Sequence, residues 1–351
     1  MNVDEKLITG VAYHGNRILK HVREDMEDIV RHNMNTVVHM FSHNDWDRHL
    51  LVMKDVIAIS EDLGLDVWVD NWGLAGSPGD KSHFLSYHPA AHQIYSDGSV
   101  DPVNACYNNA DFIQFSKDWV YAVRECGGKK LFFDEPHFNV KKNAAGEKIF
   151  SCCCESCRRL FLERYGKQMP TERTDEVRDF HRYSMKRYFE QVTGYATSLG
   201  MECITCVMVG DLEKFGADML HVPTIKNFGI DPYWFPKERP GERDPFLYVY
   251  EQTKKILQRT ADAGKDTHIW IQGYGIPSGC EDDIYLATDA AFEAGARSIL
   301  AWSYRGGESH SYRADNCERV WQVMGEAMAH IRSRHVAQIR ERRLAALKNN
   351  C

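Results

Sequence analysis

Long apolar stretches are missing from this chain of 351 residues: none approaches the ~20 that a membrane-crossing helix needs. No signal peptide precedes the first apolar run, and Met1 to Lys6 is polar. Excess positive charge is missing too. With a net charge of −7 and a pI near 6.1, nucleic acid and anionic membrane are poor candidates for the main partner. No H-E-x-x-H or H-x-H spacing occurs, so the common sequence marks of a catalytic metal are absent. Low-complexity segments are missing, and nothing repeats beyond an alternation of strands and helices. A disulfide framework is disfavoured as well. The 11 cysteines are odd in number and unevenly clustered, which suits reduced thiols in a cytoplasmic protein.

What the chain does have is a 43% hydrophobic content, enough for a sizeable core. Its length fits one (β/α)₈ TIM barrel with long loops, which needs about 250 residues, and leaves little for a second domain. Short β-branched or aromatic runs predict strands at Ile8–Tyr13, Thr36–Phe41, Asp66–Val69, Lys130–Phe133, Glu202–Met208, Asn227–Ile230, His268–Ile271 and Ser298–Trp302. Helical periodicity predicts crossover helices such as Arg17–His32, Arg48–Leu63, Phe112–Cys126, Phe246–Ala263 and Asp282–Ala294. Gly64, Gly264 and Gly295 stand where left-handed caps would end three of them. Two connections are long, Trp72 to Asn109 and the segment after Glu135, and both leave C-terminal strand ends. The expectation is a single barrel domain over residues 1–351, with a stapled loop region at 106–157 and a C-terminal helix at 318–348 whose end is basic and exposed.

The stretch from Lys129 to Cys157 organises the rest. An apolar run, Leu131-Phe132-Phe133, delivers Asp134-Glu135-Pro136-His137, and thiols follow at Cys152, Cys153, Cys154 and Cys157. Cys152, Cys154 and Cys157 make C-x-C-x-x-C, and Cys106 lies in the preceding long loop. Four thiolates at tetrahedral geometry form a closed structural zinc site. Cys153 could replace a neighbour. Packed free thiols are the bland alternative, and so many in one hydrophilic loop weigh against it. Cys203 and Cys206 sit inside a predicted strand and read as core.

Here the chain resembles a known family. Cys106-Tyr107-Asn108, the C-x-C-x-x-C group and the following Arg158-Arg159-Leu160-Phe161-Leu162-Glu163-Arg164-Tyr165-Gly166 look like the zinc region of glycoside hydrolase family 42 β-galactosidases. The resemblance implies a general acid/base at Glu135, a structural zinc and no organic cofactor. Three departures limit it. Asp134 stands where the family has Asn, Gln272 stands near its strand-seven nucleophile Glu, and its later domains have no counterpart. β-Galactosidase activity and the retaining mechanism therefore do not carry over. Asp134-Glu135-Pro136-His137 and Asp231-Pro232-Tyr233-Trp234 are also similar to barrel proteins related to glycosidases.

Glycoside hydrolysis needs a protonated carboxyl for the leaving oxygen and a second group across the sugar. Glu135 is the expected acid, because repulsion from adjacent Asp134 raises one pKa of the pair. The second group is open. Asp231 or Asp70 could activate water in an inverting enzyme. Asp134 could orient a substrate acetamido group, as the similar pair does in family 20 hexosaminidases. A carboxylate from an unexpected strand would make a retaining enzyme. Substrate binding is expected at His14, His43, Asp70, Asn71, Trp72, His137, Tyr233, Trp234, Gln272, Tyr274, Trp302 and Arg305, all at or soon after strand ends. His83, His88 and His92 read as surface. The function expected is a soluble glycosidase acting on a small or terminal sugar. A metal-dependent barrel isomerase or hydrolase, or a catalytically inert sugar-binding barrel, is the alternative. A homo-oligomer is compatible with the sequence.

Overall fold

The computed structural model describes residues 6–75, 81–235 and 243–349. Eight parallel strands close into a barrel in sequence order: β1 (Ile8–Tyr13), β2 (Thr36–Met40), β3 (Asp66–Asp70), β4 (Lys130–Phe133), β5 (Glu202–Met208), β6 (Ile225–Asp231), β7 (Asp266–Gln272) and β8 (Ser298–Trp302). The ring shuts where Ile8–Val11 pair in register with Ser298–Ala301. These strands are buried on both faces, as parallel strands covered by helices must be, and therefore read as near-continuous apolar runs.

Helices α1 (Leu19–Arg31), α2 (His43–Asp62), α3 (Ala110–Glu125), α4 (Glu155–Tyr165), α5 (Asp175–Ser198), α6 (Pro245–Asp262), α7 (Asp283–Glu293) and α8 (Cys317–Asn349) follow the expected order. Their ends have local causes. Asn109 caps α3 by accepting the Phe112 N–H, and Asp244 caps α6 by accepting that of Leu247 with Pro245 in the first turn. Gly64, Gly264 and Gly295 take the left-handed backbone expected of them. In α8, Val320, Met324, Met328 and Ile331 are buried, while Glu341 to Leu347 is exposed. Among the described residues, no helix is long and apolar enough to cross a membrane.

Four boundaries differ from the sequence reading in ways that matter. Helix α2 starts at His43 rather than Arg48, because Ser42 and Asp45 form a reciprocal cap: the Ser42 N–H donates to Asp45 Oδ2 (3.1 Å) and the Asp45 N–H to Ser42 Oγ (3.1 Å). Strands β3, β6 and β7 each run one residue further than expected, which makes Asp70, Asp231 and Gln272 the last residues of their strands.

Packing resolves the chain into two units, residues 1–39, 55–68 and 229–351 in one, and residues 40–54 and 69–228 in the other. The second carries both long loops, and each holds an antiparallel hairpin, His92–Ile94 with Val100–Ala105 and Val140–Lys142 with Lys148–Phe150. The hairpins are laced together: Cys153 N–H donates to Ile94 O (2.7 Å), Ser96 N–H to Phe150 O (2.8 Å), and Asn139 Nδ2 to Asp101 Oδ2 (2.7 Å).

Candidate active site

Strand β4 ends in Phe132 and Phe133, both buried, and the chain then leaves the barrel through Asp134 and Glu135. Asp134 turns inward and is 5% exposed. Its backbone N–H donates to Asn71 Oδ1 (2.9 Å), and its Oδ1 accepts the Cys206 thiol (3.3 Å). Asp70 lies beside it, wholly buried. One carboxylate oxygen of Asp70 accepts the Trp72 N–H (2.9 Å), and the other is sealed from water without a hydrogen bond among the described residues. Burial first, then the Asp134 charge, pushes the Asp70 carboxyl well above the ordinary carboxylate range, against the Trp72 hydrogen bond. Burial and the Glu135 charge do the same to Asp134. Each of these carboxyls therefore favours its protonated form.

Glu135 differs from both. It is half-buried, and among the described residues its carboxylate makes no ion pair or hydrogen bond. Its backbone sits at φ 31°, in the left-handed region that a side chain of this size rarely adopts. Strain of this kind costs of order 1–3 kcal/mol and persists only where the surroundings enforce it. The surroundings here are visible. The His137 ring bonds the Glu135 carbonyl through Nδ1 (2.9 Å), and the His137 N–H donates to Tyr107 Oη (3.2 Å).

Tyr107 follows Cys106, which ties the acid loop to the thiols. The sulfur atoms of Cys106, Cys152, Cys154 and Cys157 lie within 4.8 Å of one another, all buried. Cys106 Sγ is 3.3 Å from Cys157 Sγ and 3.4 Å from Cys154 Sγ. Zinc–sulfur bonds of about 2.3 Å at tetrahedral angles want sulfur separations of about 3.8 Å, so the set needs only small adjustment to hold a metal. Asn108 supplies support, with its N–H on Cys106 Sγ and its Nδ2 on Cys157 Sγ, both at 3.3 Å. Cys153 is buried but outside the group, and Cys203 and Cys206 are buried in β5.

A second group in the same unit went unread in the sequence. His43, Asp47 and His83 offer ligand atoms within 4.8 Å of one another. His83 Nε2 is 3.0 Å from Asp47 Oδ2, and His43 Nε2 is 3.8 Å from Asp47 Oδ1. The two imidazoles stack 3.8 Å apart, and Ser82 Oγ holds His43 Nδ1 at 2.7 Å. Burial and the His83 charge push His43 down to about 4, with Asp47 opposing. His83 comes from the long loop, where sequence alone placed it on the surface; its side chain is in fact 40% exposed. The signal that could have found the group was the Ser42–Asp45 cap, which puts His43 and Asp47 one turn apart on a helix.

The other unit carries the remaining expected residues, and they are held internally. Gln272 is buried at the end of β7; its Oε1 accepts the Phe235 N–H (3.0 Å) while Nε2 donates to Phe235 O (3.2 Å) and Tyr274 O (3.3 Å). The side chain thus braces two loops. Tyr233 and Tyr274 meet edge to face at 5.4 Å, and His14 packs against Trp302 (4.8 Å) and His310 (4.3 Å). Asp231 is buried, and Trp234 is packed inside with 1% exposure. Arg305 is held by Glu308 (2.7 Å) and Glu318 (2.6 Å).

This architecture is similar to that of several solved carbohydrate-active barrels. The catalytic domain of β-amylase from Paenibacillus polymyxa matches at a TM-score of 0.61 and 8% identity, over 85% of this chain and 92% of that one. β-Galactosidase from the psychrophilic Marinomonas ef1 matches at 0.67 and 9% identity over 93% of this chain, which spans 60% of that protein's length. GH5_18 from Streptomyces cattleya, solved in complex with GlcNAc, matches at 0.61 and 10% identity, over 93% and 81%. Glycoside hydrolase barrels are thus among the structural neighbours. The likeness is one of fold. No family model matches the sequence, and no curated protein matches it.

Proposed function

We propose that the chain is a glycoside hydrolase of a single catalytic barrel, with Glu135 as the general acid toward a small or terminal sugar. One observation carries this reading. Glu135 lies two residues beyond the end of a barrel strand with an uncommitted, half-buried carboxylate on strained backbone, beside a buried Asp134 whose carboxyl is pushed toward its protonated form. The expense of holding that conformation has no evident structural return. Asp134 then serves as the neutral hydrogen-bonding neighbour, able to orient a substrate acetamido group. Because Gln272 occupies the strand-seven position and is committed to backbone, a covalent glycosyl-enzyme at that strand is disfavoured. Asp70, wholly buried and pushed toward its protonated form, is a poor water-activating base, so inversion with another carboxylate, or substrate assistance, remains. Asn71, Trp72 and His137, in the unit that carries Glu135, are the proposed sugar contacts. The four thiols would hold a structural zinc, with no organic cofactor, and the free cysteines suit a reducing compartment such as the cytoplasm. The test is a panel of aryl glycosides that includes N-acetylhexosaminides, with NMR of the first-formed anomer. Turnover with inversion supports a water-activating base, and turnover confined to acetamido sugars with retention supports substrate assistance. No turnover on any member removes the proposal.

A second reading has its own observation, the convergence of His43, Asp47 and His83, two of which line a pocket of about 360 Å³. A metal-dependent hydrolase or isomerase would lose activity in His83→Ala while the Glu135→Gln variant kept it. The glycosidase reading demands the reverse.

A further inference from the structure

A cavity of about 550 Å³ opens in the unit that carries Glu135, between the 140–150 hairpin, the start of α5 and the turn after β5. Lys148, Arg173, Arg178, Arg182 and Lys214 line it, against the acids Asp211 and Glu213. Several of these charges are already spent. Lys214 pairs with Asp211, Arg178 with Asp175, and Arg182 with Asp179 (3.1 Å) and Asp218 (3.3 Å). Arg173 and Lys148 are left over, with no carboxylate at ion-pair distance among the described residues.

Two nitrogens on the cavity wall are also sealed from water without a hydrogen bond among the described residues: Arg173 Nε and His181 Nε2. His181 is 4% exposed, clamped by Phe138, which stacks on it at 4.5 Å, and by Phe150 at 5.8 Å. Burial and the Arg173 charge push this imidazole down to about 3, so it is neutral, and burial with Arg178 lowers Arg173 itself against Asp211. The site is therefore short of negative charge. Buried polar groups without partners are uncommon, and two on one wall call for a ligand.

We propose that this cavity binds an oxyanion, a carboxylate, sulfate or phosphate carried on the saccharide, through Arg173, Lys148 and His181. The oxyanion rests on the cavity alone. That a sugar carries it rests on the glycosidase reading and on His137, which lines the cavity two residues beyond Glu135.

Isothermal titration of the full-length protein at low ionic strength tests this with four probes: glucuronate, glucose, inorganic sulfate and inorganic phosphate. Glucuronate should bind, and glucose should bind at least about tenfold more weakly. Arg173→Gln should weaken glucuronate roughly tenfold to a hundredfold, the range for losing a charge-assisted hydrogen bond, and Arg173→Lys should restore part of it. Circular dichroism and Tm of both variants establish that the fold is kept. Sulfate or phosphate binding as well as glucuronate would uphold the oxyanion site and overturn the sugar carrier. Absence of anion binding, or binding unchanged in a folded Arg173→Gln protein, would overturn the whole proposal. Since the readout is equilibrium binding, a failure of Glu135 as acid leaves this result standing.

Discussion

The two units treat their polar side chains differently. In the unit formed by residues 1–39, 55–68 and 229–351, several of the expected site residues are consumed by the protein, although buried atoms such as Ser298 Oγ and Thr253 Oγ1 lack a hydrogen bond there among the described residues. Gln272 braces Phe235 and Tyr274, Arg305 is clamped by Glu308 and Glu318, and Asp25 accepts the hydroxyls of Tyr13 (2.6 Å) and Tyr304 (3.1 Å). In the unit formed by residues 40–54 and 69–228, groups are left over: the Glu135 carboxylate, one oxygen of Asp70, and Arg173 Nε; four thiols and a His–Asp–His set converge there too. A fold satisfies what it can, so what it leaves unsatisfied marks where a ligand, metal or substrate completes the molecule. The difference lies in which candidate site residues are held by the protein and which are not, and variants can break or sharpen it.

The largest effect is expected at Glu135. Removing its proton donor with Glu135→Gln should lower kcat by about 10²- to 10⁴-fold, the usual contribution of a general acid, while sugar binding measured by titration persists. The φ of 31° stays as strained for Gln as for Glu, so Tm should move little. A variant that keeps its turnover would place the chemistry elsewhere. Next comes the thiol group. Cys154→Ser should abolish bound zinc, measured by atomic emission, and destabilise the protein by several kcal/mol, because metal binding free energy is folding free energy at such a site. Cys153→Ser should leave the metal content unchanged, since that sulfur lies outside the group.

Gln272→Glu sharpens the contrast from the other side. A carboxylate there would face the carbonyls of Phe235 and Tyr274, which now accept from the amide. The expected cost is about 2–3 kcal/mol of stability by denaturant titration, with no gain of retaining activity. A stable, retaining Gln272→Glu enzyme would show that this strand end is a catalytic position.

The barrel was legible because its signals are local. Leu131-Phe132-Phe133 reads as a buried parallel strand, and Gly64, Gly264 and Gly295 punctuate helices wherever the sequence puts them. The convergence of Cys106 with Cys152, Cys154 and Cys157 was legible through spacing and resemblance. Other features depend on long-range placement. Nothing in Asp134-Glu135 says which carboxyl turns inward; the left-handed backbone at Glu135 decides it, and that is enforced by Tyr107 and His137 from two loops. The pairing of Asp47 with His83, and of Arg173 with His181 on one cavity, joins segments whose order along the chain carries no period. The hairpins that fill both long loops were missed because each strand is only three to six residues long.

The smallest effect expected, and the one with a definite sign, is at Asp70. Burial and the neighbouring Asp134 charge raise its carboxyl in the folded state well above its ordinary value near 3.8. Between those two values the folded protein binds a proton that the unfolded chain has released, so stability falls as pH rises through that window. Below the ordinary value both states are protonated and the penalty vanishes. Asp70→Asn keeps an oxygen for the Trp72 N–H and removes the ionisation. Its Tm should equal or exceed that of the unaltered protein at pH 8 and converge with it toward pH 4, by a few degrees at most. The opposite slope, with Asp70→Asn weaker at pH 8 than at pH 4, would mean that a folded-state partner holds the charge. The unsatisfied oxygen would then belong with the braced groups of the other unit, and the contrast between the units would fail at the carboxyl whose titration Asp134 influences.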